Sequence, residues 1–323
     1  HDRFVLNQGC THIADLDFHE IRIFPGNYDD FTIAALEARE LQEKANKKVE
    51  KQANDLKAFI SRFSSNASKA KQATSRKKQL DKLEVKKFKA SSRVSPFIRF
   101  TPKNRLGDKV IKAKGLSKTY DETLFSEFSC VIGPEERVAI IGKNGIGKTT
   151  LLNILCKQLE SDAGTVAFGE TVELGLFPQD TAELLDPKAT ALDWLGKFGN
   201  GEYTEVELRS FMGRMLFRGE DVMKKVGVLS GGEKARLIIS KMTMEGGNVI
   251  ALDEPTNHLD LESIEALNFG LSLFPNTLLF VSHDHRFIAT LATRILEVTA
   301  DGIIDYPGTL DDYEAMKRSK KKK

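Results

Sequence analysis

The stretch RVAIIGKNGIGKTTLLNIL, Arg137 to Leu155, decides how the rest of the chain is read. RVAIIG has the unbroken apolar character of a parallel strand covered on both faces. GKNGIGKT, Gly142 to Thr149, then satisfies G-x-x-x-x-G-K-[ST] between that strand and a helical TTLLNILCKQL. Glycines in such a loop let successive backbone N–H groups converge on a β-phosphate, and the amino end of the helix adds positive potential. Lys148 is placed to reach β/γ oxygens and the Thr149 hydroxyl to ligate Mg2+. The expected phosphate cradle is therefore Gly142, Lys143, Asn144, Gly145, Ile146, Gly147, Lys148, Thr149 and Thr150.

Hydrolysis needs two more groups, one to orient a metal and one to position water. NVIALDEP, Asn248 to Pro255, supplies both: Asp253 at the end of a second buried strand to hold Mg2+ through a water, and Glu254 as general base or water-positioning group. An acidic pair on an ordinary surface is the weaker reading, because buried parallel strands present their carboxyl ends at ligand crevices. LSGGE, Leu229 to Glu233, opens a further helix upstream of that strand. Ser230 is suited to cap it, while Gly231 and Gly232 expose its amino end as a second phosphate-binding surface.

Together with VSHD, Val281 to Asp284, these strings resemble the ATP-binding-cassette (ABC) family over roughly residues 105–313. The resemblance implies an α/β P-loop domain with a parallel-sheet core, an antiparallel β-subdomain and a helical subdomain at about 190–245. It also implies roles. Tyr120 stacks on adenine, Gln179 in FPQD lies near Mg2+ and water, His283 contacts the γ-phosphate, and Asp260 in NHLD forms the D-loop. In that family two such domains close head to tail, so Leu229, Ser230, Gly231, Gly232 and Glu233 would face the partner domain's ATP. His285 departs from the pattern, since relatives with two domains carry Arg after His-Asp. His12, His19, His258 and Trp194 lack ligand-like spacing and are read as structural.

The two ends of the chain match each other without a gap. His1 and Asp2 fall on His283 and Asp284, Thr11 on Thr293, Ile13 on Ile295, and FPGNYDDF (24–31) on YPGTLDDY (306–313). Residues 1–31 are thus expected to be the tail of a first domain of the same kind. Residues 32–104 are expected to be a linker, and 105–323 the second cassette. From Thr32 to Phe88 no Gly or Pro interrupts a charged helical pattern, with Leu41, Ala45, Val49, Ala53, Leu56, Ile60 and Phe63 forming a narrow apolar stripe. After the polar SSNASKAKQATS the stripe resumes at Leu80, Leu83 and Phe88. Two antiparallel helices meeting at a basic tip is the preferred reading, a single solvated helix the alternative.

Charge is concentrated in this linker. Residues 61–90 hold ten Lys and Arg against two acids, a net +8 in a chain whose total is +2. A polyanionic partner would therefore bind locally. Lys69, Lys71, Arg76, Lys77 and Lys78 are the candidate RNA contacts, and the terminal KRSKKKK is either another or a disordered tail.

Two cassettes joined by a charged α-helical hairpin linker, with DEPTNHLD, are similar to the ABC-F proteins, cytosolic ATPases that act on the ribosome. That resemblance implies ATP and Mg2+ as ligands, and a second ABC domain upstream in the same polypeptide. It also implies a linker that reaches P-site tRNA and rRNA from the E site. The alternative is the ATPase subunit of an ABC membrane transporter. Apolar runs too short to span a bilayer, and three dispersed cysteines, Cys10, Cys130 and Cys156, fit a protein of the reducing cytoplasm.

Overall fold

The computed structural model describes residues 3–17, 20–63, 75–80, 94–181 and 184–321. The chain divides into two units, one within residues 2–93 and the other running from residue 94 to the carboxyl end.

In the first unit helix α1 (Arg3–Gly9) leads into an antiparallel hairpin of β1 (His12–Asp17) and β2 (Glu20–Pro25), then helix α2 (Tyr28–Phe63). Gly26 turns the chain with φ +107°. Asn27 and Asp30 then cap α2 reciprocally, each accepting at 3.0 Å from the other's backbone N–H. Tyr28 and Phe31 are buried, with the Phe31 ring edge-on to Phe24 at 5.1 Å. Of the expected stripe on α2, Ala53 is buried and Val49, Leu56 and Ile60 are half-buried, whereas Leu41 is 67% exposed. Residues 75–80 are helical too, with Leu80 buried and the Arg76 guanidinium 3.6 Å from the Phe59 ring centroid. A second segment thus returns along the end of α2. The tip with Lys69 and Lys71, and the apolar Leu83 and Phe88, lie outside the described residues. The expected boundary at 31/32 falls inside α2, because the caps at Asn27 and Asp30 start one uninterrupted helix.

The second unit begins with an extended segment in which Pro96, Ile98 and Phe100 point inward and Val94, Phe97 and Arg99 outward. Ile98 passes so close to Gly270 that a Cβ there would lie 2.5 Å from the Ile98 carbonyl oxygen, and the Phe100 ring meets Phe274 edge-on at 6.3 Å. Residues 94–104 therefore belong to the cassette, not to the linker as the sequence suggested. Their period-two apolar alternation inserts them into its core, which Pro96 and Pro102 conceal by making the segment look like a connector.

An antiparallel sheet of order β4-β3-β6 is built from β3 (Ile111–Thr119), β4 (Thr123–Ile132) and β6 (Ala163–Phe168). The main sheet has the order β11-β10-β5-β9-β8-β7. Its members are β5 (Arg137–Gly142), β7 (Leu174–Phe177), β8 (Val249–Asp253), β9 (Thr277–Val281), β10 (Arg294–Thr299) and β11 (Gly302–Pro307). All its pairings are parallel except β10 with β11. β8 and β9 are buried at every position, as their continuous apolar sequences require. Helix α3 (Lys148–Leu155) follows β5 across the P-loop. Between β7 and β8 lie α4 (Ala191–Gly196), α5 (Glu205–Arg214) and α6 (Gly231–Glu245), matching the helical stretch expected at about 190–245. Helices α7 (Leu261–Ser272), α8 (His285–Leu291) and α9 (Leu310–Lys321) complete the unit. Trp194 is a core residue whose Nε1 donates to the Leu184 carbonyl at 3.1 Å. This is the α/β P-loop cassette fold expected from the sequence.

The internal repeat extends to hydrogen-bond register. β1 pairs with β2 from His12↔Pro25 to Asp17↔Glu20, and β10 pairs with β11 from Arg294↔Pro307 to Thr299↔Gly302. The second set is the first shifted by the offset that aligns the two ends. The same offset carries α1 onto α8 and the start of α2 onto the start of α9. It also carries the Asn27–Asp30 cap onto Thr309–Asp312. The copies differ at one edge. β10 also pairs with β5, while among the described residues β1 pairs with β2 alone.

Candidate nucleotide and cation site

The carboxyl ends of β5, β8 and β9, with the loop after β7, meet at a cavity of about 490 Å³. Lining it are Tyr120, Asn144, Gly145, Gly147, Lys148, Thr149, Thr150, Gln179, Glu254 and His283, all expected from the sequence. Leu124 and Asn257 line it as well and were missed. Asn257 follows Glu254 by three residues and so was within reach of the DEP signal, whereas Leu124 looks like any strand residue. Leu229–Glu233 and Asp260 are not among the lining residues.

The P-loop conformation follows from its glycines. Gly142, Gly145 and Gly147 have φ of +148°, +76° and +106°, where a side chain is disfavoured. The resulting turn lets the Lys148 ammonium donate back to the carbonyls of Gly142 and Lys143 at 3.2 and 3.0 Å. Burial lowers the Lys148 pKa from its ordinary value, with the nearby Glu254 and Asp253 charges opposing. Such a partly desolvated cation is poised to take phosphate oxygens as partners.

Three oxygen-bearing side chains converge beside it. Thr149 Oγ1 lies 3.1 Å from Asp253 Oδ1 and 3.2 Å from Gln179 Oε1. One hydroxyl proton serves only one of these acceptors, and the buried Asp253 Oδ2 has no hydrogen-bond partner. This donor shortage fits a hard divalent cation, which favours oxygen ligands. Among the described residues no group of three His, Cys, Asp or Glu forms a metal cage, so phosphate and water oxygens would have to complete its shell. Burial pushes the Asp253 carboxyl up to about 6.

Asp253→Asn is expected to raise the melting temperature of the ligand-free chain by a few degrees, since it removes a buried, under-compensated charge. It should also abolish the further stabilisation given by Mg2+ with ATP. A scan of both forms with and without Mg-ATP checks this, and a variant that still responds to Mg-ATP removes Asp253 from the cation site.

Glu254 ends this row in a left-handed conformation, φ +46°, with its N–H donating to Val281 O at 2.9 Å. Its Oε2 accepts from the His283 N–H at 3.1 Å, and Oε1 lies 3.2 Å from His283 Nε2. Burial raises the Glu254 pKa, partly offset by His283. A buried carboxylate of raised basicity, held beside a phosphate cradle, can accept a proton from water.

Ser230 caps α6 as expected, in a reciprocal arrangement: its Oγ accepts from Glu233 N at 3.2 Å and its N–H donates to Glu233 Oε2 at 2.8 Å. Asp260 caps α7 through Ser263 N at 2.8 Å and meets Arg236 at 3.4 Å. His285 bonds Glu314 at 3.0 Å across α8 and α9, which is what it does in place of the expected Arg. In the other unit Arg76, Lys77 and Lys78 are exposed. Cys130 and Cys156 are buried thiols pushed up to about 12, and no helix among the described residues is long and apolar enough to cross a membrane.

Residues 125–257 match a family model described as ABC transporter, and residues 14–100 match a second model of the same description. The chain is 45% identical over 314 residues to YbiT of Escherichia coli O157:H7, covering 97% of this chain and 59% of that protein. It is 36% identical over 328 residues to the energy-dependent translational throttle protein EttA of Haemophilus influenzae, covering 98% and 57%. The chain thus spans less than two thirds of these relatives. Among solved structures, the dimeric ATP-binding cassette MJ0796 bound to ADP and Pi aligns with TM-score 0.52 at 22% identity, over 61% of this chain and 98% of that one, a likeness of fold.

Proposed function

We propose, from the premise that this chain carries an ATP-binding domain of the ABC family, that it is the linker and second cassette of an ABC-F-type ATPase acting on the ribosome. The observation that carries this reading is the in-register repeat. Residues 3–17 and 20–31 fold as the counterpart of the matching residues of 285–313, so along the sequence the basic segment 61–90 falls between two cassette-derived pieces. Leu16, the counterpart of the buried Val298, is 67% exposed, as expected of a hairpin whose own parallel neighbour, a strand equivalent to β5, belongs to an upstream cassette. A relative named as a translational throttle supports the ribosomal assignment.

In this reading ATP closes the two cassettes. Lys148 and the P-loop N–H groups hold the phosphates, Tyr120 stacks on the base, and Thr149, Gln179 and, through a water, Asp253 would hold Mg2+. Bound there, a divalent cation would supply positive charge to phosphate oxygens. Glu254, oriented by His283, accepts a proton from the water that attacks the γ-phosphorus as the bond to the ADP oxygen breaks. Leu229–Glu233 and Asp260 serve the ATP held by the upstream cassette. The hairpin, led by Lys69, Lys71, Arg76, Lys77 and Lys78, meets P-site tRNA and rRNA from the E site in the cytoplasm. Its affinity comes from phosphate contacts, so it is sequence-poor and salt-dependent.

Cosedimentation with ribosomes tests this. The full-length polypeptide, held with ATP by Glu254→Gln, should pellet with ribosomes, and deleting residues 61–90 should weaken this by about tenfold or more at physiological salt. Absence of ribosome binding, or binding indifferent to the deletion, favours the transporter-subunit reading instead.

A further inference from the structure

Tyr120 follows a strand that is not regular. The register of β3 against β4 shifts between Leu116 and Lys118 and again between Lys118 and Thr119, and its pairing with β6 slips between Lys114 and Ser117. Bulges of this kind re-aim a strand and free its ladder groups. Here the freed groups converge on Asp162, in the turn between α3 and β6. Its Oδ1 accepts from Lys118 Nζ at 2.7 Å and its Oδ2 from the Thr119 N–H at 2.7 Å, while its own N–H donates to Ser117 O at 2.9 Å. The Lys118 ammonium also donates to the Glu160 carbonyl at 3.1 Å and lies 5.4 Å from the Tyr120 ring centroid. Beyond it, the Tyr120 N–H donates to Glu122 O at 3.1 Å, and Tyr120, 59% exposed as a residue, lines the nucleotide cavity.

We infer that Asp162 is a positioning residue for the nucleobase: with Lys118 it ties the strand end that carries Tyr120 to the carboxyl side of the helix whose amino end forms the phosphate cradle. The inference rests on the assignment of Tyr120 to the base. The span from Lys148 to Tyr120 is then fixed through α3 and one carboxylate, so base and triphosphate are gripped at a set separation. The Lys118 hydrogen bond, then the Thr119 N–H, lowers the Asp162 pKa, and the same bond raises that of Lys118, so both stay charged at neutral pH. A ligand with phosphates but no base would not sense this latch.

Calorimetric titration of the chain with Mg-ATP and with Mg-tripolyphosphate separates the two grips. Tyr120→Ala should weaken ATP by about tenfold, a typical loss for one stacked base, and leave tripolyphosphate within about twofold. Asp162→Asn and Lys118→Met should each weaken ATP by roughly three- to tenfold with the same indifference to tripolyphosphate. Combined with Tyr120→Ala, Asp162→Asn should add nothing, because both act through one contact. If Tyr120→Ala leaves ATP affinity unchanged, the assignment of Tyr120 falls and the inference with it. If it weakens ATP while Asp162→Asn and Lys118→Met do not, the positioning role alone is overturned. Equal losses for ATP and tripolyphosphate in Asp162→Asn would mark general damage to the domain and overturn it too.

Discussion

Glu254→Gln is expected to lower the rate of ATP hydrolysis in the full-length polypeptide by about a hundredfold or more, and to leave ATP affinity within about threefold. The separation of the two effects follows from where Glu254 sits. It is buried and held by two hydrogen bonds, its N–H on Val281 O and its Oε2 on the His283 N–H, while Oε1 faces His283 Nε2 at 3.2 Å without a hydrogen bond. Gln has the same shape and keeps an oxygen for the His283 N–H, so the site should fold unchanged. What it lacks is the capacity to take a proton, which burial strengthens in the native carboxylate. The φ of +46° at Glu254 points the same way, since a non-glycine residue is held in that region only where its surroundings over-determine it. In the proposed reading the phosphate contacts run instead through Lys148 and the loop backbone; the Lys148 ammonium is held by the Gly142 and Lys143 carbonyls, and Glu254 acts on it through charge alone. Single-turnover phosphate release measured beside equilibrium ATP binding checks both halves. A rate within tenfold of the parent removes Glu254 from proton transfer, and a matching loss of affinity makes it a binding residue.

What could be read from sequence here depended on whether each signal is local. The P-loop, the strand before it and the Asp-Glu pair are each a few consecutive residues with a period and a spacing, so their positions at the carboxyl ends of β5 and β8 were legible. The cap at Ser230 was legible for the same reason. The segment from Val94 to Asn104 was not. Its core membership depends on Gly270 clearing space for the Ile98 carbonyl and on Phe274 receiving Phe100, partners some 170 residues away in sequence. Leu41 misled in the opposite direction, since it fits the apolar period of α2 yet is exposed. Asp162 gave no signal at all, because an acid in a turn acquires meaning only when bulges bring Lys118 and Thr119 to it. The repeat was visible as a string of identities, but the equal pairing of β1–β2 and β10–β11 turns that string into a statement about folding.

Gly142→Ala is expected to destabilise the cassette by about 2–4 kcal/mol, and to weaken ATP binding more than the stability loss alone would suggest. Gly142 is the last residue of β5 and pairs with Val298 of β10. Its φ is +148°, and a Cβ would stand 2.6 Å from the Val298 carbonyl oxygen and 3.0 Å from Ile146 Cγ2. The first of these neighbours is backbone in a fully packed sheet and has nowhere to go, so the methyl must push the strand end or the loop. Either movement disturbs the Gly142 and Lys143 carbonyls that hold the Lys148 ammonium. Gly145→Ala provides the control, because Gly145 has φ +76° but nothing within 4 Å of the added carbon. It should cost only the left-handed strain, about 1–2 kcal/mol. Chemical denaturation of the two variants, with ATP titration of each, distinguishes steric exclusion at the strand end from conformational strain in the loop. Equal losses at both positions would mean that φ alone governs this loop, and that the close approach of β10 to β5 plays no part in shaping the phosphate cradle.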